Sequence, residues 1–363
     1  MRIFLCGDVM LGRGIDQALP HPCAPEIHEM HMNSALGYLR LAERAHGSIG
    51  APLEPSQVWG AALEEFGRMR PEARIVNLET SITRCEDFQP KGINYRMSPE
   101  NAQCLASAGV DCCALANNHV LDWGRAGLID TLEALDGLGI RHSGAGRDAA
   151  AAALPAVVDC TCGIRVLVFS VACLDAGIPP DWAATPAMPG VNLLPDLSRA
   201  AVASLGDLIG RYRRQGDVVI LSIHWGSNWG YTITDTQRQF AHDAIDRAGV
   251  SIVHGHSSHH ARAIEVHAGR LILYGCGDFI NDYEGISGYE EYRGDLSVMY
   301  FPEVDPTTGT LVGLDLVPLQ VRRFRLEHPC PDDVAWLAKS LGRQSRDFGA
   351  RVTADAQRLR VAW

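Results

Sequence analysis

Lysine is almost missing from this chain. Of 32 basic residues only Lys91 and Lys339 are lysines, and the rest are arginines. We read that imbalance as genome composition bias rather than function. Long apolar runs are missing too: no stretch approaches the ~20 uninterrupted apolar residues that a membrane-crossing helix needs. The apolar start Ile3-Phe4-Leu5-Cys6 is too short for a secretory signal and runs straight into Gly7 and Asp8. A cytoplasmic protein without a membrane partner is therefore expected. Positive charge is in deficit, with 32 Lys and Arg against 43 Asp and Glu and a formal net charge of −11. Such a chain repels a phosphate backbone overall, which excludes a general nucleic-acid binder. A disulfide framework is also absent. The 11 cysteines are odd in number and scattered, several of them in apolar strand-like runs where a free thiol packs as a small hydrophobe. Reduced thiols fit this pattern better. Cys160 and Cys162 stand too close together to form a zinc knuckle alone, and no second pair completes one. No glycine loop has phosphate-cradling or dinucleotide spacing; the stretch from Gly7 to Gly14 does not match.

What is present is an ordinary globular composition. The 363 residues are 47% hydrophobic and 21% charged. A chain of this length buries roughly three quarters of its unfolded surface and needs no staple to fold. No repeat, low-complexity tract or clear linker divides it, so one domain over 1–363 is expected. Short apolar runs alternate with amphipathic stretches. Strands are predicted at 2–7, 73–79, 110–117, 164–173, 217–224, 250–254, 261–267, 270–275, 295–301 and 311–325. Helices are predicted at 56–69, after Ser98-Pro99, at 122–138, at 197–214, from Thr234 or Asp235 to 248, and at 331–349. Alternating strands and helices imply an α/β layered fold with a largely parallel core sheet, made mixed by the later strands. Residues 16–55 and 175–195 read as long loops or insertions.

Polar residues cluster just after the strands. Asp8 follows the first, Asn77 and Glu79 the second, and Asn117, Asn118, His119 and Asp122 the third. His224 ends another strand, and four histidines (His254, His256, His259 and His260) fall in the seven residues from 254 to 260. Asp278, Asn281 and Asp282 follow the strand at 270–275. In open α/β sheets the ligand crevice lies beyond the carboxyl ends of the strands. Each residue also has a plain structural reading. Asp8 suits a turn or helix cap, Glu79 a partner for Arg84, Asn117-Asn118 a turn, and His224 a core histidine packed beside Trp225. Six strand ends delivering Asp, Glu, Asn or His to one edge argue for a single site. That donor set suits manganese, iron or zinc and also suits acid–base chemistry.

The ordered motifs Gly7-Asp8-Val9-Met10-Leu11-Gly12-Arg13, Asn77-Leu78-Glu79, Asn117-Asn118-His119 with Asp122, His224-Trp225-Gly226, Gly255-His256 with His259, and Gly277-Asp278-Phe279 resemble the CapA family. That family is named for poly-γ-glutamate capsule synthesis. The resemblance spans the core motifs at 2–282, leaving strands and a helix at 295–363. It implies a layered α/β/β/α metallophosphoesterase-like (calcineurin-like) sandwich with mixed sheets. By the same resemblance, Asp8 is the first acid, with Met10 where a histidine would stand. Glu79 is the bridging acid and Asn118 the ligand asparagine. His119 protonates the leaving group, oriented by Asp122, and His224 and His256 are later ligands. His259 lies one residue further along than the pattern expects. One metal position thus keeps Glu79, Asn118, His224 and His256. The other is damaged, keeping Asp8 and, weakly, His259. One divalent ion (Mn, Zn or Fe) and no organic cofactor are implied, and the chemistry need not require the ion.

The resemblance leads first to a cytoplasmic branch beside lasso-peptide precursors. There the expected activity is a peptide epimerase that inverts an α-carbon from L to D. Asp8, Glu79, His119, Asp122, His224 and His256 would supply its acids and bases. Its partners would be a precursor peptide and a leader-binding protein. The alternatives are a metal-dependent phosphoesterase or hydrolase, a poly-γ-glutamate-related CapA activity, and a non-catalytic scaffold in which these residues are replaceable.

Overall fold

Strand alternation decides which face each apolar residue covers. In the strand Ile3–Val9, Ile3 and Leu5 join one cluster with Val166, Val168, Val218, Ile220 and Ile252, while Phe4 and Cys6 join another with Phe66, Val76 and Leu128. Every residue of Ile3–Val9 and of Val218–His224 is buried. Burial on both faces is why these strands read as unbroken apolar runs rather than as alternation. The computed structural model describes residues 1–355 and 357–363. Of the Cys160 and Cys162 pair, the Cys162 side chain lies outside that description; the other described cysteines are free thiols.

Two large mixed sheets carry the chain. In a 10-stranded sheet, Ile3–Val9 runs parallel to Ala73–Leu78, which is followed by Cys112–Ala114 and Arg141–Ser143. On its other side Ile3–Val9 meets Leu296–Val304 antiparallel and the short Asp278–Ile280 parallel. In a 7-stranded sheet, Arg165–Cys173, Val218–His224, Ile252–His256 and Arg270–Leu273 are parallel neighbours. A third apolar cluster joins Leu167, Phe169, Val219 and Leu221 of this sheet to Val202 and Leu205 of the helix Arg199–Tyr212 and to Phe240 and Ala244 of the helix Asp235–Asp246. Thr234 caps the latter helix, accepting from Gln237 N–H in a capping box.

Several expectations are corrected. The helix predicted over 56–69 is two pieces, Pro55–Val58 and Ala61–Met69. Gly60 interrupts it at φ 43°, and a Cβ there would lie 2.2 Å from the Leu326 carbonyl oxygen. The stretch 16–55 is not all loop, since it carries the helix Leu36–His46; only Tyr38 and Ala42 of that helix are buried, too few to leave an apolar period. The helix expected after Ser98-Pro99 is present but short, a 3-10 turn Glu100–Ala102 running into the α-helix Gln103–Ser107. The last helix stops at Ser345, and the hairpin Arg351–Asp355 with Arg358–Ala362 extends the first sheet.

Candidate functional site

Strand register brings the polar residues together. Asp8 is registered opposite Asn77 on one neighbour and Asp278 on the other. His224 is registered opposite His256, and Ser222 opposite His254, in the second sheet. Asp8 accepts from Asn77 Nδ2 at 2.8 Å and from the Ser257 N–H at 3.3 Å. Burial, reinforced by the nearby Asp278 carboxylate, pushes its pKa up to about 7. Glu79 is likewise raised, by burial and then by Asp8 and Asp278. Its Oε1 lies 3.7 Å from His119 Nε2.

His119 and Asp122 form a tight pair, Nδ1 to Oδ2, at 2.6 Å. Asp122 also accepts from the Tyr95 N–H at 2.6 Å and from Lys91 Nζ at 2.7 Å. Burial lowers the His119 pKa to about 4; Asp122 opposes that shift and Lys91 adds to it. The imidazole is therefore neutral near pH 7, its Nδ1–H given to Asp122 and its Nε2 lone pair turned toward Glu79. Asn117 holds the loop from behind, its Oδ1 accepting the His119 N–H at 3.1 Å.

A hydrogen-bond relay fixes His256. His254 Nε2 lies 2.6 Å from the Cys6 carbonyl oxygen, so that nitrogen donates. Burial lowers the His254 pKa to about 4, which leaves Nδ1 only a lone pair. That lone pair accepts the Ser222 hydroxyl proton at 3.2 Å. The Ser222 oxygen in turn accepts from His256 Nε2 at 2.8 Å. His256 is left with a bare Nδ1, which faces His224 Nδ1 at 2.8 Å. Burial lowers the pKa of both rings.

These donors fit a divalent cation. Among the described residues, Asp8, His224 and His256 bring ligand atoms within 4.8 Å of one another, and so do Asp8, His259 and Asp278. Glu79 Oε2 and Asn118 Oδ1 are buried with no hydrogen-bond partner, as oxygens kept for a cation would be. The grouping differs from the sequence expectation at two points, the addition of Asp278 to the second group and the presence of Asp8 in the first. The position left short of a histidine by Met10 was expected to keep only Asp8 and, weakly, His259. The structure adds Asp278, whose Oδ1 lies 2.7 Å from His259 Nδ1. Asp8 is common to both groups. His254 serves the relay, and His260 packs between Tyr231 and Tyr292 at ring separations of 4.6 and 4.7 Å. The histidine run is therefore divided in use. Lys91 was not anticipated in the site. Its rarity, one of two lysines in the chain, was the available signal.

A buried carboxylate–imidazole cluster at the strand ends of a mixed α/β fold defines a protein of the metallophosphoesterase-like class. Within that class, residues 2–283 match the family described as bacterial capsule synthesis protein PGA_cap, and the chain belongs to that family. It is 45% identical, over 98% of its length and 94% of the relative's, to a Mycobacterium tuberculosis protein named "Probable polyglutamine synthesis accessory protein". It is 27% identical to the capsule biosynthesis protein CapA of Bacillus anthracis, over 64% of this chain and 53% of that one. It is 26% identical to the PGA biosynthesis protein CapA of Bacillus subtilis, over 62% of this chain and 56% of that one. No described helix is long and apolar enough to cross a membrane.

Proposed function

We propose that this chain is a metal-dependent hydrolase acting on a glutamate polymer in the course of its synthesis. The observation that carries the chemistry is the Asp8 carboxylate shared by two ligand groups beside the unpartnered oxygens of Glu79 and Asn118. The resemblance to a family named for poly-γ-glutamate capsule synthesis supplies the polymer, and the name of the Bacillus subtilis relative, PGA biosynthesis protein, agrees with it; the Mycobacterium tuberculosis relative is named for polyglutamine, whose side chains are uncharged. We also read the two sheets and their helices as one α/β/β/α sandwich. Asp8, Glu79, Asn118, His224 and His256 would hold one ion, and Asp8, His259 and Asp278 a second. When bound, such ions stabilise the charge that develops on oxygen during hydrolysis. The protein's own part is positional. His119 Nε2 accepts a proton from the attacking water and returns it to the departing nitrogen. Asp122 keeps the ring in the tautomer that leaves Nε2 bare, and Lys91 balances the Asp122 charge. Burial excludes bulk water from the acids.

The test is chromatography of short γ-linked and α-linked glutamate oligomers incubated with the manganese- or zinc-loaded protein. Shortened products that disappear on chelation and in His119→Ala are expected. Intact oligomers under every metal condition would sink the proposal. One feature favours a second reading, epimerisation of a precursor peptide held by a leader-binding partner: the carboxyl of Asp8, its pKa pushed up to about 7 by burial and the neighbouring Asp278, is a second group besides His119 able to hold or release a proton. Deuterium uptake at a peptide α-carbon in heavy water, without chain shortening, would select it.

A further inference from the structure

A second charged feature lies away from the buried acids. A cleft of about 700 Å³ runs between the helix Pro331–Ser345 and the C-terminal hairpin, and Lys339, Arg343, Arg346 and Arg351 line it. All four side chains are exposed. None of the four forms an ion pair among the described residues, and no acidic residue is among those lining the cleft. Exposed arginines without an ion pair occur elsewhere too, at Arg40, Arg44, Arg70 and Arg141 among the described residues; what sets the cleft apart is that four such cations share one concavity in a chain of net charge −11. Trp363, 49% exposed, adds a flat apolar wall.

The cleft is joined to the site through aromatic rings. The Arg343 guanidinium lies 5.6 Å from the Tyr231 ring centroid. Tyr231 packs on Tyr292 at 5.4 Å, Tyr292 neighbours Trp229 at 5.3 Å, and Trp229 lies 5.3 Å from the His259 ring.

We infer that this cleft is an exosite for a carboxylate-rich chain, holding one part of a glutamate polymer while another part reaches the buried acids. The inference rests on the reading of a glutamate polymer as substrate. Arginine forks pair with carboxylates two bonds at a time, and clustered unpaired cations raise the local concentration of a polyanion that the rest of the surface repels.

The experiment is fluorescence anisotropy of a labelled glutamate oligomer titrated with the full chain at two salt concentrations. The triple variant Lys339→Glu/Arg346→Glu/Arg351→Glu changes only exposed residues, and circular dichroism checks its fold. Its affinity is expected to fall by roughly tenfold or more, while Arg40→Glu/Arg44→Glu/Arg141→Glu, the same charge change at exposed residues outside the cleft, binds like the wild type. Equal binding by the triple variant, or no binding by the wild type, overturns the inference. Binding lost in Glu79→Gln but kept in the triple variant also overturns it, and leaves the hydrolase reading standing. Binding that needs the three cations in a protein that shortens no oligomer upholds the exosite and sinks the hydrolase reading. An oligonucleotide of equal charge that binds as tightly overturns the carboxylate specificity.

Discussion

His119 is the residue on which the proposed chemistry turns. Its Nε2 faces Glu79 at 3.7 Å, and its other nitrogen is committed to Asp122 at 2.6 Å. Replacing His119 by Ala is expected to lower turnover of a glutamate oligomer by about 10²–10⁴-fold, the usual contribution of a positioned acid or base. Asp122→Asn keeps the ring but gives it the wrong partner, so turnover should fall less and in the same direction. Full activity in His119→Ala would remove the residue from the mechanism. Asp8 and Asp278 make a sharper pair. Asp8 belongs to both ligand groups and Asp278 to one. Elemental analysis after manganese loading and desalting should therefore find that Asp278→Ala loses one ion per chain and Asp8→Ala loses both. The same metal content in Asp278→Ala as in wild type would restore the view that Met10 leaves the second position empty.

At the scale of elements, two strands position the candidate ligands through groups that are not ligands themselves. Ser222 sits two residues before His224 on Val218–His224 and holds His256 on the neighbouring strand. Among the described residues, Ser222→Ala removes the hydroxyl proton given to His254 Nδ1 and the acceptor that His256 Nε2 donates to. The His256 tautomer is then no longer set. Metal affinity should drop about 10–100-fold, as for other outer-sphere partners, measured by competition with a chromophoric chelator; unchanged affinity would show that the relay is only packing. Gly7 makes the other contact. A Cβ at Gly7 would stand 1.6 Å from the Gly277 carbonyl oxygen, at the crossing of Ile3–Val9 with the segment leading into Asp278–Ile280. Gly7→Ala must push that segment aside. A destabilisation of about 1–3 kcal/mol or more is expected from overpacking, together with weaker metal retention. A wild-type melting temperature in Gly7→Ala would mean the contact relaxes freely.

For the molecule as a whole, the site joins the two sheets. Asp8 comes from the 10-stranded sheet, and His224 and His256 come from the 7-stranded one. An ion held by all three ties the sheets together and relieves repulsion among the buried carboxylates. Binding only to the folded state adds about 2.7 kcal/mol at an ion concentration 100 times the dissociation constant. Thermal melts with manganese and with a chelator should differ accordingly, and coincident melts would deny that the ion bridges the sheets.

The candidate site was largely legible in the sequence because of parallel-strand physics. Buried parallel strands appear as unbroken apolar runs, and Asp8, Glu79, Asn118, His119, His224 and His256 stand where such runs end. Asp122 was legible for a local reason, three residues beyond His119 in the same turn. Tertiary structure alone decided the rest. The His254 contact with Cys6 joins positions 248 residues apart, and Lys91 reaches Asp122 from a loop 31 residues earlier. The pairing of Asp8 with Asp278 depends on a three-residue strand too short to show a period. Which strands become neighbours, and in what register, is set by how their apolar faces pack against partners distant in the chain. No local pattern of side chains encodes that choice, so the relay, the second ligand group and the cationic cleft appear only once the sheets are assembled.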